Sequence, residues 1–257
     1  MQNIIGIVNG ILIGGVGGGG GGVDPFVGLL DAYPGAAAAY SVRQLSSTYT
    51  APTASEFSFG NALDFDGSND YVDFTPITTG TTWCLSFWFQ YNPGVLISTA
   101  TPDKVQVYNS SNFRITTGAN DNFYSVPVMS TSTWYHCYIS VISGVCRLYF
   151  NGVQTSTGTQ NNSIDITSFA NFPGGGFKFG GILDEVGLLV GDGGTAQDAI
   201  DLYNGGSGDY FNTVMGNSTA YWRFNETSGT TLTDETGNYN GTLNGFTVPG
   251  AWVNGKA

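Results

Sequence analysis

Asn61-Ala-Leu-Asp-Phe-Asp-Gly-Ser-Asn-Asp-Tyr-Val-Asp-Phe74 sets apolar and acidic residues on either side of a turn. In an extended chain Leu63 and Phe65 share one face, and Asp64 and Asp66 the other. Gly67-Ser68-Asn69-Asp70 carries turn chemistry, and residues 71–74 resume the extended run. The stretch reads as strand, tight acidic turn, strand. The pattern continues outward. Residues 83–90 ("WCLSFWFQ") form an aromatic-rich, buried strand, and 105–108 and 113–115 form shorter strands around Asn109-Ser-Ser-Asn112. Residues 134–152 form a hairpin. With Ser143-Gly144 as its two-residue turn, Val141 faces Cys146 and Cys137 faces Phe150. Residues 177–190 give two strands around Gly180-Gly181. Thr195-Ala-Gln-Asp198 opens a helix over 196–203, which Asn204-Gly205-Gly206 stops.

Bulk properties exclude several functions. The chain has 257 residues, 41% of them hydrophobic, enough for one large β-domain with an appendage. Charged residues make up only 10%, so solubility rests on Asn, Ser, Thr and Gly. The net charge is −12, and the seven basic residues are scattered singly. No basic patch exists for nucleic acid. Three cysteines, an odd and widely spaced set, argue against a disulfide scaffold; Cys84, Cys137 and Cys146 read as small core residues.

The N-terminus differs in kind. Residues 1–23 hold an apolar segment (Ile4, Ile5, Ile7, Val8, Ile11, Leu12, Ile13) and then a glycine run from Gly17 to Gly22. The glycines make a flexible tether. The apolar run is interrupted and too short to span a bilayer. The first basic residue is Arg43, so no export signal is read. The segment is expected to anchor the protein, as a strand added to a partner or bundled with its copies. Residues 24–50 form a connector, with a short helix predicted over 35–45 from Pro34-Gly35 and the alanines that follow.

Three blocks carry a resemblance. "ALDFDGSNDYVDF", the hairpin "WYHCYISVISGVCRLYFNG" and "GGILDEVGLLV" resemble, in order, strands of the laminin-G-like, concanavalin A-like jelly-roll family. The resemblance implies an all-β fold: a two-sheet antiparallel jelly-roll sandwich over residues 51–257, beside the N-terminal arm and short helix. The block over 220–243 ("AYWRFNETSGTTLTDETGNYNGTL") resembles that family's first strand and loop. It stands at the end of this chain, so a permuted order is expected, with 219–257 folding back to complete the sheet. Exchange of this segment with a neighbouring subunit is the alternative. Residues 24–50 resemble the opening of fungal arabinofuranosidase-type jelly rolls and the head of phage tail and fibre proteins.

Glycosidases of this fold look like a strand bearing Glu-x-Asp-x-(x)-Glu. The glutamates here are Glu56, Glu185, Glu226 and Glu235, none so spaced, and a non-enzymatic protein is expected. His136, the single histidine, reads as a strand residue. Asp234, Asn238 and Asn240 lie in "TDETGNYNG", an oxygen-rich loop suited to a hard cation, with turn chemistry as the alternative. The resemblance implies structural Ca2+ beside the "LDEV" strand, with Asp184 or Glu185 contributing. Strand alternation sends these two side chains to opposite faces. A loop over 118–124 offers Asn120, Asp121, Asn122 and Tyr124 to a glycan, with Asn109 on a neighbouring loop. The bland alternative buries Phe123 and leaves the asparagines to turns. These readings lead to a non-enzymatic phage spike, fibre or decoration protein at the virion surface. Its arm would join other virion proteins, its sandwich would contact host-surface glycan, and it would be a homo-oligomer, a trimer by analogy with fibres. The alternatives are a bacterial cell-surface or secreted adhesion module, and a purely structural capsid component.

Overall fold

The computed structural model describes residues 59–98, 103–118, 120–172 and 177–256, and the backbone of 6–8 and 11–13. The chain divides into two units, residues 1–51 and 52–257. In the first, β1 (Gly6–Val8) and β2 (Ile11–Ile13) pair antiparallel with Val8 opposite Ile11. Asn9-Gly10 stands between them, a dipeptide suited to a two-residue hairpin. Ile7, Val8, Ile11, Leu12 and Ile13 belong to these strands; Ile4, Ile5 and the helix expected over 35–45 lie outside the described residues.

The second unit is a two-sheet sandwich. In chain order its strands are β3 (Asn61–Asp64), β4 (Tyr71–Thr78), β5 (Trp83–Gln90), β6 (Gly94–Ser98), β7 (Lys104–Asn109), β8 (Asn112–Thr117) and β9 (Asn120–Ser125). There follow β10 (Trp134–Ile142), β11 (Val145–Phe150), β12 (Val153–Thr159), β13 (Asp165–Phe169) and β14 (Ile182–Val190). Helices α1 (Ala196–Tyr203) and α2 (Phe211–Met215) lead to β15 (Ala220–Trp222), β16 (Thr231–Leu232), β17 (Gly241–Asn244) and β18 (Trp252–Asn254). The first sheet runs β12-β11-β10-β5-β14-β3-β18, with β15 also on β14. The second runs β16-β17-β4-β13-β6-β7-β8-β9. All these ladders are antiparallel.

Alternation builds the core. Leu63, Phe65, Leu85, Phe87 and Phe89 meet Val72, Phe74, Val105, Val107 and Phe113 between the sheets, all buried. The hairpin turns at Ser143-Gly144 (φ +49° and +81°), with Cys137 opposite Phe150 and Val141 opposite Cys146. The three thiols are free and buried. A second apolar cluster, with Cys84, Tyr138, Leu189 and Tyr221, lies on the outer face of the first sheet under α1 and α2. Gly187 has no side chain because the Phe211 ring of α2 occupies that space. Helix α1 has the expected capping box, Thr195 with Asp198, and stops at a left-handed Asn204. Of the two strands expected over 177–190 only β14 forms; before it, Lys178 makes a single bridge to Val95.

The C-terminal segment enters both sheets of its own chain. β15 joins β14, β17 joins β4 and β18 joins β3. The two ends of the sandwich are stitched together: Phe59 N–H donates to Lys256 O (2.9 Å) and Gly255 N–H to Gly60 O (2.8 Å).

Candidate functional site

Strands β7, β8 and β9 lie side by side at one edge of the second sheet. Val105, Val107, Phe113, Ile115 and Tyr124 point into the core. The alternate positions therefore face outward. Register sets Lys104 beside Thr116 and Thr116 beside Asp121; in the next row Gln106 lies beside Arg114 and Arg114 beside Phe123. Arg114 grips Asp121 in a fork, Nε to Oδ1 at 2.8 Å and Nη2 to Oδ2 at 2.6 Å. Thr116 Oγ1 adds a bond to Oδ1 at 3.0 Å. The Arg114 hydrogen bond holds the Asp121 carboxyl below its usual range. The guanidinium also lies over the Phe123 ring, 5.7 Å from its centre. Tyr108 meets Phe123 edge-on at 4.9 Å. Two aromatics in contact remain 45% (Tyr108) and 54% (Phe123) exposed, beside a compensated ion pair. Lys104, on the same face, is only 7% exposed, with its ammonium over the Phe172 ring.

This patch differs from the site expected from sequence. The supposed loop is strand β9, so alternation governs it. Tyr124, expected as a sugar contact, is fully buried, and its hydroxyl accepts from Gln160 Nε2 at 3.2 Å. A ring in the core has no face for a sugar. Phe123, given to the core by the bland alternative, is the exposed one. Asn122 Nδ2 donates to Thr159 O (2.6 Å) and Asn120 to the Asn161 side chain, joining the edges of the two sheets. Asn109 Oδ1 accepts from Ser111 N–H (2.9 Å) and Asn112 Nδ2 (3.1 Å), closing a turn. Of the five residues only Asp121 belongs to the patch. Tyr108, Arg114 and Phe123 were missed; matching residues 120–125 to β8 by alternation is the signal that finds them.

Two of the expected calcium ligands, Asp234 and Asn240, are engaged by the protein's own groups. Asp234 is buried, and its oxygens accept from Tyr221 N–H (2.7 Å), Tyr239 N–H (3.0 Å), Asn238 N–H (3.1 Å), Thr236 N–H (3.3 Å) and the Thr236 hydroxyl. Asn240 Oδ1 takes Asp234 N–H at 2.9 Å. A carboxylate so engaged orders its own loop. Among the described residues no group of three or more His, Cys, Asp or Glu is placed to hold an ion.

Asp184 and Glu185 depart from simple alternation. Asp184 lies opposite Trp88 and Gly187 opposite Ser86, so Glu185 and Val186 form a bulge, with Glu185 at φ +50°. The bulge turns both carboxyls to the outer face, which corrects the expectation of opposite faces. Glu185 accepts from the Tyr221 hydroxyl and, at 3.4 Å, from Arg223 Nε. Burial pushes its carboxyl up to about 8, against the pull of Tyr221 and Arg223. Asp184 Oδ2 accepts from Lys256 N–H at 3.0 Å. These acids fasten both ends of the C-terminal segment. His136 lies in strand β10, as expected, and is buried there, with Nε2 2.8 Å from Ser86 Oγ.

A laminin G-type family profile, described as the concanavalin A-like lectin/glucanases superfamily, matches residues 66–189, just under half of the chain. No curated protein matches the sequence. The fold is similar to a candidate carbohydrate-binding protein from Bacteroides ovatus, at 17% identity and a TM-score of 0.58 over 78% of this chain and 61% of that one. A pentraxin from Limulus polyphemus aligns at 14% identity and a TM-score of 0.45, over 56% of this chain and 82% of that one. Domain 4 of an extracellular arabinanase from Geobacillus stearothermophilus, solved with arabinotriose, aligns at 16% and 0.39, over 48% and 66%. Two antiparallel sheets, their strand order and the profile match together make this chain a jelly-roll sandwich of the concanavalin A-like fold.

Proposed function

We propose that the sandwich is a non-enzymatic, lectin-like module that binds carbohydrate on the outer face of β7–β9. The exposed Tyr108–Phe123 pair beside the Arg114–Asp121 fork carries this reading. A sugar ring presents an apolar C–H face and a rim of hydroxyls. Aromatic rings take the first, and a planar donor–acceptor pair takes the second. The carbohydrate-binding description of the Bacteroides protein, which shares the fold, supports it. Phe123→Ala is expected to weaken glycan binding up to about tenfold, the loss of one stacking contact, with an unchanged melting temperature. Glycan-array and titration measurements on both proteins test this. Unchanged binding by the variant would move the site elsewhere.

We further propose that residues 1–23 carry the module on a phage particle, as a homo-oligomer exposed to host-surface glycan. The apolar arm, its glycine tether and the resemblance of residues 24–50 to the head of phage tail and fibre proteins support this placement. Deleting 1–23 should abolish incorporation into particles and reduce the oligomer to monomers by light scattering. Normal incorporation of the deleted protein would defeat the proposal.

A further inference from the structure

We infer that the glycan taken at this patch is uncharged, with a pair of neighbouring hydroxyls on the Arg114–Asp121 fork and its apolar face on Phe123 and Tyr108. The inference rests on the carbohydrate reading above and adds the ligand class. Arg114 is the accessible cation of the patch, and it is already compensated by a two-point contact with Asp121. Lys104, the other cation of this face, is buried with its ammonium over the Phe172 ring, and the Asp121 and Asp103 carboxylates beside it already answer its charge. An acidic sugar would thus place its carboxylate or sulfate against Asp121, with no uncompensated positive charge to answer it. The net charge of −12 repels a polyanion at longer range.

A diol suits what remains. The guanidinium has N–H groups beyond those given to Asp121, and the carboxylate keeps lone-pair capacity beyond Arg114 and Thr116. Each hydroxyl of a vicinal pair both donates and accepts, so one fork can satisfy both. Because no net ion pair forms on binding, affinity should hardly depend on salt.

The test uses the full chain on a panel of neutral and acidic glycans at about 50 and about 500 mM NaCl, a range that strongly changes screening. The expected result is binding confined to neutral glycans, with Kd changing less than about twofold between the two salts. Asp121→Asn should uncover the Arg114 charge and add acidic glycans, with a Kd that rises at least about fivefold at the higher salt. Wild-type binding confined to uronic, sialylated or sulfated glycans, lost with salt and lost in Phe123→Ala, would overturn the ligand class and leave the site intact. No binding by a folded wild type, or binding indifferent to Phe123→Ala, would overturn the carbohydrate reading and this inference with it.

Discussion

Trp222→Ala is expected to lower the unfolding free energy by about 4 kcal/mol, the middle of the range for a buried aromatic replaced by alanine. Trp222 is 1% exposed, in the short strand β15. Its ring packs on Phe74 at 4.7 Å and Phe169 at 4.9 Å, both from the second sheet. Its backbone pairs with Val186 of the first sheet, and its indole N–H donates to Tyr239 O at 2.8 Å. One side chain therefore ties both sheets and the Asp234 loop together. Removal leaves a cavity between sheets that cannot close without shifting β15. A domain typically has about 5–15 kcal/mol in hand, so the variant should sit near the edge of folding at 37 °C. Urea denaturation followed by circular dichroism measures the loss. A cost below about 1 kcal/mol would mean that the segment is not held through this residue.

The second large effect is on pH. The Glu185 carboxyl, 4% exposed, is pushed from 4.5 to about 8 by burial. The unfolded chain ionises above 4.5 while the folded one keeps its proton, so stability falls as pH rises from 4.5 toward 8. Asp184 is raised as well, by burial and by Glu185, and steepens the fall. His136 works from the other side. Burial lowers it from 6.5 to about 3, so the unfolded chain takes a proton that the folded one refuses. Stability therefore falls as pH drops from 6.5 to 3. Between 4.5 and 6.5 the Glu185 and His136 slopes oppose one another, and the Asp184 contribution leaves a net fall toward higher pH. Beyond each end it should descend at about 1.4 kcal/mol per pH unit for each group. Glu185→Gln keeps an acceptor for Tyr221 and should gain on the order of 3 kcal/mol at pH 8, with little change at pH 4.5. Chemical denaturation at a series of pH values measures this; an alkaline limb unchanged in the variant would assign the slope elsewhere.

The parts of this molecule that follow local rules could be read from the sequence. Alternation put Leu63 and Phe65 on one face, which proves to be the buried one, the Ser143-Gly144 turn fixed the register of Cys137 against Phe150, and the Thr195–Asp198 box opened the helix. The site follows from longer-range facts. An Asn- and Asp-rich stretch looks like a loop until its neighbour β8 is known, and a one-residue change of parity then exchanges Phe123 with Tyr124. The bulge at Glu185 needs a left-handed glutamate, which no local signal announces. The N–H groups on Asp234 are mostly local, from Thr236, Asn238 and Tyr239, and folding adds Tyr221 from β15.

The two hydrogen bonds between Phe59–Gly60 and Gly255–Lys256 make the sandwich topologically close to a ring. A short peptide bridge from 256 to 59 would close it, and the chain could then be reopened ahead of Ala220. The new linear order would begin with the block that resembles the family's opening strand and end with the α2 helix. Every ladder of the sandwich would be kept. Where the chain starts is thus separable from how the sandwich is built. The face formed by β7, β8 and β9 would be unaltered by the change of starting point.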